Sequence, residues 1–292
     1  MASHAQRGPD FIGIGTPKAA TSWLFTCLGE HPDICAAEDK ELDFFFEPNF
    51  SRGQEWYESR FTHCNGKIAG EFTPTYLHRK GVAERIHSLY PHAKLIAVLR
   101  NPVERFLSEF YFHYGLGRHD FTDPRDLPKE KYEKILKRGR YGEHLEHFYT
   151  LFPKEQVLVL IYEDIKKDPA AVMRQVFKFL GVQDSFVPPS LLTKENVTGN
   201  NRARSRSLKR AYYREFESIS RSRHREKIFN ILRTLGIGQF VKFVMRINNR
   251  PTSKVTPTEK KVDGELREKL YRSYEADIKK LEELLGKPLS WR

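Results

Sequence analysis

The stretch Phe11-Ile12-Gly13-Ile14-Gly15-Thr16-Pro17-Lys18-Ala19-Ala20-Thr21-Ser22-Trp23 leaves this chain few folds to choose from. It reads as a buried strand, a tight turn and the start of a helix that continues through Leu24, Phe25 and Leu28. The glycines let the backbone curl without Cβ clashes, and Thr21 and Ser22 stand where an N-cap and its neighbours belong. Free N–H groups at a helix start, together with the helix dipole, favour an anion, and Lys18 adds a point charge beside it. The spacing excludes a Walker A loop, in which the lysine directly follows a glycine; here Lys18 comes three residues after Gly15.

Two further segments repeat the theme. Lys94–Leu99 is apolar on both faces, as a central parallel strand must be, and ends in Arg100-Asn101-Pro102, with Asn101 as an N-cap and Pro102 as a first helical residue. On the helix that follows, Val103, Phe106, Leu107 and Phe110 form one apolar stripe. Ser108 lies off that stripe, so Arg100 and Ser108 are expected to hold one anion together. The third segment, Gln156–Ile161, is another doubly buried strand and ends in Tyr162-Glu163-Asp164.

All three windows resemble the enzymes that use 3′-phosphoadenosine 5′-phosphosulfate (PAPS), the sulfotransferases. The resemblance implies that Thr16, Pro17, Lys18, Ala19, Ala20, Thr21 and Ser22 cradle the 5′-phosphosulfate, that Arg100 and Ser108 hold the 3′-phosphate, and that Tyr162 lies near the adenine. Asn196–Arg206 falls where the family places a flexible basic loop, so Arg202 and Arg204 are expected to close over the 3′-phosphate. PAPS is then the co-substrate and 3′-phosphoadenosine 5′-phosphate (PAP) the product.

Sulfuryl transfer needs a base for the acceptor hydroxyl and positive charge on the sulfonate and the leaving phosphate. Lys18 is the natural leaving-group partner. Gly70–Leu77 resembles the Glu-Lys-Thr/Ser-x-x-Tyr-Phe segment of heparan sulfate sulfotransferases, which implies Glu71 as the base, although Phe72 stands where those enzymes have a lysine. Asp39–Phe45 resembles the Lys-Glu-x-x-Phe-Phe segment of many sulfotransferases; it makes Glu41 the runner-up base and places Lys40 on the transferred sulfonate. His113 is a third choice, since cytosolic small-molecule sulfotransferases use a histidine.

The expected fold is α/β, a three-layer P-loop-like fold with a central parallel sheet flanked by helices. Strands are expected near 11–15, 67–70, 94–99 and 156–161, and helices near 22–30, 80–90, 102–115, 140–151 and 169–181, with a last helix carrying Leu266, Leu270, Tyr274, Ile278 and Leu281. The irregular stretch from Gly115 to Leu136 is expected to overhang the active site. One sulfotransferase domain then spans 1–292, with a flexible N-terminus over 1–9 and a basic lid or insert over 196–260.

Charge is concentrated: residues 200–250 hold 14 Lys/Arg against 3 Asp/Glu, nearly all of the net +12 of the 292-residue chain. Such a block suits a polyphosphorylated cofactor, an acidic polymer or an anionic surface, and zinc-finger or RNP signatures that would favour nucleic acid are missing. The amphipathic Gly236–Arg246 is expected to pack on the core rather than on a membrane. No run approaches the roughly 18 apolar residues of a membrane span, and 1–9 is not an apolar signal, so the expected location is cytoplasmic. Cys27, Cys35 and Cys64 are odd in number and lack Cys-x-x-Cys spacing, which favours reduced thiols. His144 and His147 stand one turn apart, yet no third ligand falls at a recognisable spacing, so no metal is expected.

The function these features support is sulfation, from PAPS, of a hydroxyl or amine on a carbohydrate acceptor by in-line displacement. The alternatives are sulfation of a small hydroxylated metabolite or lipid and, outside the class, a nucleotide kinase-like P-loop enzyme or a non-catalytic polyanion-binding protein. Oligomeric state is left open.

Overall fold

A computed structural model describes residues 8–193 and 263–291. Five strands form one sheet: β1 (Phe11–Gly15), β2 (Ile34–Ala36), β3 (Ile68–Phe72), β4 (Lys94–Leu99) and β5 (Val157–Ile161), in the order β2-β3-β1-β4-β5. Every neighbouring pair runs parallel. The described helices are α1 (Thr21–Gly29), α2 (Gln54–Glu58), α3 (Val82–Leu89), α4 (Pro102–Gly115), α5 (Lys129–Lys137), α6 (Tyr141–Tyr149), α7 (Tyr162–Lys167), α8 (Pro169–Leu180) and α9 (Gly264–Leu285).

Strand alternation builds the three layers. Ile12 and Ile14 of β1 and Leu95, Ala97 and Leu99 of β4 face one apolar cluster, shared with α3, α6 and α9. Phe11, Ile96 and Val98 face the other, shared with α1 and α8. A sheet buried on both faces needs strands apolar throughout, which is why β1 and β4 are readable from sequence alone. With β3 and β4 on either side of β1, the connections diverge at the carboxyl end of β1, where open α/β sheets bind ligands.

The chain divides into two compact units. The first comprises Met1–Phe106, Leu136–Asn196 and Glu265–Arg292 and holds the sheet; the second comprises Leu107–Ile135 and Val197–Gly264. In the second unit Arg125 pairs with Asp123 and Asp263, each at 2.7 Å. The stretch from Gly115 to Leu136, expected to be irregular, contains α5: Tyr132, Ile135 and Leu136 have helical spacing, masked in sequence by the preceding Leu127-Pro128. The expected lid over 196–260, with Arg202 and Arg204, and the amphipathic Gly236–Arg246 lie outside the described residues. Among the described residues no helix is long and apolar enough to cross a membrane.

The last helix is tied to the first unit by polar contacts rather than apolar burial alone. Asp277 on α9 accepts hydrogen bonds from the N–H groups of Gly142 (3.0 Å) and Glu143 (2.9 Å), capping α6 from a distant element. Tyr274 donates to the Leu136 carbonyl at 3.1 Å, and Arg267 pairs with Glu104.

Candidate active site

The turn after β1 is held in an unusual conformation. Lys18 and Ala20 both have positive φ, 72° and 61°, which non-glycine residues adopt at a cost of order 1–3 kcal/mol and keep where the surroundings dictate it. Ala19 between them is fully buried in the cluster beneath α1. The first turn of α1 carries no acidic residue, so nothing cancels its positive end. Loop curvature, an uncancelled helix start and a half-buried lysine together fit a phosphosulfate.

Thr16 is 1% exposed and turns inward, its N–H and Oγ1 both donating to the Val98 carbonyl at 2.8 and 3.1 Å, which stitches β1 to β4. The expected capping role of the next two hydroxyls is corrected. Ala20 occupies the N-cap position without a side-chain bond, so Thr21 and Ser22 are not caps. Their hydroxyls accept instead from the Lys40 ammonium, at 3.2 and 3.3 Å.

The end of β4 closes against this loop. Asn101 caps α4, its Oδ1 accepting from the N–H groups of Val103 (3.0 Å) and Glu104 (3.2 Å). Arg100 donates through Nη1 to the Lys18 carbonyl at 3.0 Å, its guanidinium lies 4.8 Å from the Tyr162 ring centre, and Nη2 stands 4.0 Å from Glu104. Its Nε–H is buried with no partner among the described residues, a donor awaiting an acceptor. Lys18, Arg100 and Tyr162, remote in sequence, are thus brought together. Glu163 secures this corner: one carboxylate oxygen accepts from the Asn101 N–H at 3.2 Å and the other from Trp291 Nε1 at 3.0 Å. Ser108 and His113 fall in the part of α4 that belongs to the second unit, and the His113 Nε2 lone pair already accepts from Arg118 at 3.3 Å.

The two candidate base carboxylates separate sharply. Glu41 is about half exposed, and its Oε1 accepts from Lys40 Nζ at 3.2 Å. Lys40 therefore bridges Glu41 to the first turn of α1. Glu71 is fully buried and lies within β3, opposite Ile12 of β1. Tyr57 donates to its Oε1 at 3.3 Å and Thr73 to its Oε2 at 2.7 Å. Burial pushes its pKa up to about 8, against the opposing effect of bonds from Thr73, Tyr76 and Tyr57. A general base must reach the proton it removes and be ionised to take it. Glu71 is sealed beneath Tyr57 and Thr73, whereas Glu41 is exposed to an incoming acceptor.

Phe72 explains why the heparan-type segment departs from its pattern here. Its ring is fully buried over Gly13, where an added Cβ would stand 2.1 Å from the ring, so the position faces the core and carries no cation. Lys40 lies alongside it, accepting the Phe72 N–H on its carbonyl at 3.0 Å, and sends its ammonium to the site. Asp43 has φ 51° and a pKa raised to about 6 by burial and by Glu41, with Arg79 opposing.

The reduced-thiol expectation is overturned: Cys35 and Cys64 form a disulfide, leaving Cys27 as the free cysteine. Cys35, His63 and Cys64 bring their ligand atoms within 4.8 Å of one another, but sulfurs joined in a disulfide are not thiolate ligands. His144 and His147 turn to different partners, the Lys137 carbonyl at 2.9 Å and Glu84 at 3.1 Å.

A family model for the sulfotransferase domain matches residues 8–229. The chain belongs to the sulfotransferase domain family. Members of this family take the sulfuryl group from PAPS and release PAP. The sulfotransferase chain is 30% identical over 195 residues to human heparan sulfate glucosamine 3-O-sulfotransferase 6, covering 61% of this chain and 54% of that one. It is 30% identical over 218 residues to human bifunctional heparan sulfate N-deacetylase/N-sulfotransferase 3, covering 66% of this chain and 24% of that one. It therefore spans about half of the first relative and a quarter of the second. Among solved structures, the sulfotransferase from Alicyclobacillus acidocaldarius shares the fold with a TM-score of 0.69 at 24% identity, over 98% of this chain and 99% of that one.

Proposed function

We propose that this sulfotransferase moves the sulfuryl group of PAPS to a hydroxyl of a carbohydrate acceptor, with Glu41 as the base. The observation that carries this reading is the Lys40 bridge, which ties the anion-binding end of α1 at Thr21 and Ser22 to an exposed carboxylate. PAPS, when bound, supplies the activated sulfuryl group. Lys18 and the N–H groups at the start of α1 hold the 5′-phosphosulfate, and Lys18 neutralises the phosphate as it leaves. Arg100, whose buried Nε–H has no partner among the described residues, holds the 3′-phosphate, while Tyr162 sits by the adenine. Lys40 carries positive charge to the sulfonate oxygens, and Glu41 takes the acceptor proton. Placing charge and base on adjacent residues couples the two halves of an in-line displacement. The carbohydrate assignment is supported by relatives whose names specify heparan sulfate.

Calorimetry with PAP and ATP, followed by transfer from labelled PAPS to heparosan and heparan sulfate oligosaccharides, phenols and hydroxylated lipids, tests this. PAP should bind well and ATP at least about tenfold more weakly, a difference of about 1.4 kcal/mol, and label should enter the oligosaccharides. Label entering only phenols or lipids overturns the carbohydrate acceptor; failure to bind PAP overturns the whole reading.

A further inference from the structure

The carboxyl of Glu71 is fully buried, yet two of its hydroxyl partners also hold the backbone of the segment that carries Lys40 and Glu41. Thr73 Oγ1 donates to Glu71 and accepts from the Asp43 N–H at 3.2 Å. The Tyr76 hydroxyl bonds to Glu71 and accepts from the Phe44 N–H at 2.8 Å. Tyr57, the third donor, is stacked on the Phe44 ring at 4.3 Å with the planes 9° apart. A hydroxyl has one proton and two lone pairs, so a hydroxyl whose proton is drawn to Glu71 turns its lone pairs toward the waiting N–H groups. Burial holds the Tyr57 and Tyr76 protons on well above the usual tyrosine range, so both remain donors.

We propose that Glu71 is a positioning residue: by orienting the Thr73 and Tyr76 hydroxyls it fixes the Asp43 and Phe44 amides, and through them the place of Lys40 and Glu41 beside the α1 anion end. The inference rests on the reading of Glu41 as base. Chain connectivity supplies the reach, because Glu71 belongs to β3, which is paired to β1, the strand leading into the Lys18 loop. An apolar residue would fill the space without the cost of a buried carboxyl but would leave both hydroxyls free to turn.

Hydrogen exchange on residues 39–45 and labelled-PAPS transfer to heparosan oligosaccharide, in Glu71→Leu, Glu71→Gln and Thr73→Val, decide the matter. Glu71→Leu should lose amide protection at Asp43 and Phe44 and lower kcat by roughly 10- to 100-fold, the scale of a misplaced catalytic group, with PAP affinity within about twofold. Glu71→Gln, which keeps a carbonyl acceptor, should restore protection and most of kcat. Thr73→Val should expose the Asp43 amide alone, and stands in if Glu71→Leu fails to fold. Unchanged protection in both Glu71→Leu and Thr73→Val overturns the proposal. So does a hundredfold loss in Glu71→Gln with protection intact, which makes Glu71 a chemical participant. Because exchange is read without turnover, an inactive acceptor probe counts against the proposed function and leaves this test standing.

Discussion

Lys18 and Arg100 meet through one backbone carbonyl and Arg100 lies over the Tyr162 ring, whereas Lys40 and Glu41 are held by a segment whose amides hang on hydroxyls bound to a buried acid. The proposed nucleotide side is built from strand ends, each carrying its functional residue within a local motif. The proposed acceptor side is built from contacts among residues 40–45, 57 and 71–76, none of which announces its partner in sequence. Substitutions among residues 40–45, 57 and 71–76, which share hydrogen-bond partners, should therefore be strongly non-additive.

The largest effect should come from the proposed base. Glu41→Gln should lower turnover by about 10²–10⁴ with little change in PAP affinity, read by labelled-PAPS kinetics beside calorimetry. Full activity in Glu41→Gln with a dead Glu71→Gln would return the base to β3 and erase the contrast between the two sides.

Next is the Cys35–Cys64 bridge, which closes a loop of sequence separation 29 around the Lys40–Glu41 segment. The chain-entropy relation gives about 3–4 kcal/mol for a loop of this length. The double Cys→Ser variant should therefore lose stability on that scale in urea melts. PAP affinity should survive, because the nucleotide side lies outside the loop.

Arg100→Ala should weaken PAP by roughly tenfold to a hundredfold, the worth of a charge-assisted bond, and adenosine 5′-phosphosulfate, which lacks the 3′-phosphate, much less. Equal losses would mean that Arg100 serves only to hold the Lys18 carbonyl.

The smallest and sharpest contrast is pH. Glu71 has a pKa raised from 4.5 to about 8, so the native chain keeps a proton that the unfolded chain gives up. Its contribution to stability is complete below about pH 4.5, declines as pH rises and is gone above about 8. Glu71→Gln should lack that decline, so its Tm relative to wild type should rise between pH 5 and 8. A constant difference would show that Glu71 is ionised in the native state.

These contrasts also explain what could be read from sequence. β1, β4 and β5 are mostly apolar runs ending in punctuation such as Arg100-Asn101-Pro102, and such strands are legible without neighbours. β2, with only Ile34, Cys35 and Ala36, is too short for any periodicity, and its register beside Ala69 is what brings Cys35 toward Cys64. Cysteine spacing alone carries no such information. Thr21 and Ser22 look like caps because hydroxyls at a helix start usually are; only the fold reveals that Lys40 claims them. Glu71 reads as a strand-end carboxylate until Tyr57, Thr73 and Tyr76 close over it.

Trp291 gives the nucleotide corner a dependence on a remote part of the chain. Its indole N–H and the Asn101 amide share the two oxygens of Glu163, so an α4 cap next to Arg100 leans on a side chain beyond α9. Removing the Trp291 indole would therefore be felt through one carboxylate at the cap beside Arg100. If Arg100 holds the 3′-phosphate as proposed, a change almost two hundred residues further along the chain would be recorded as weakened PAP affinity.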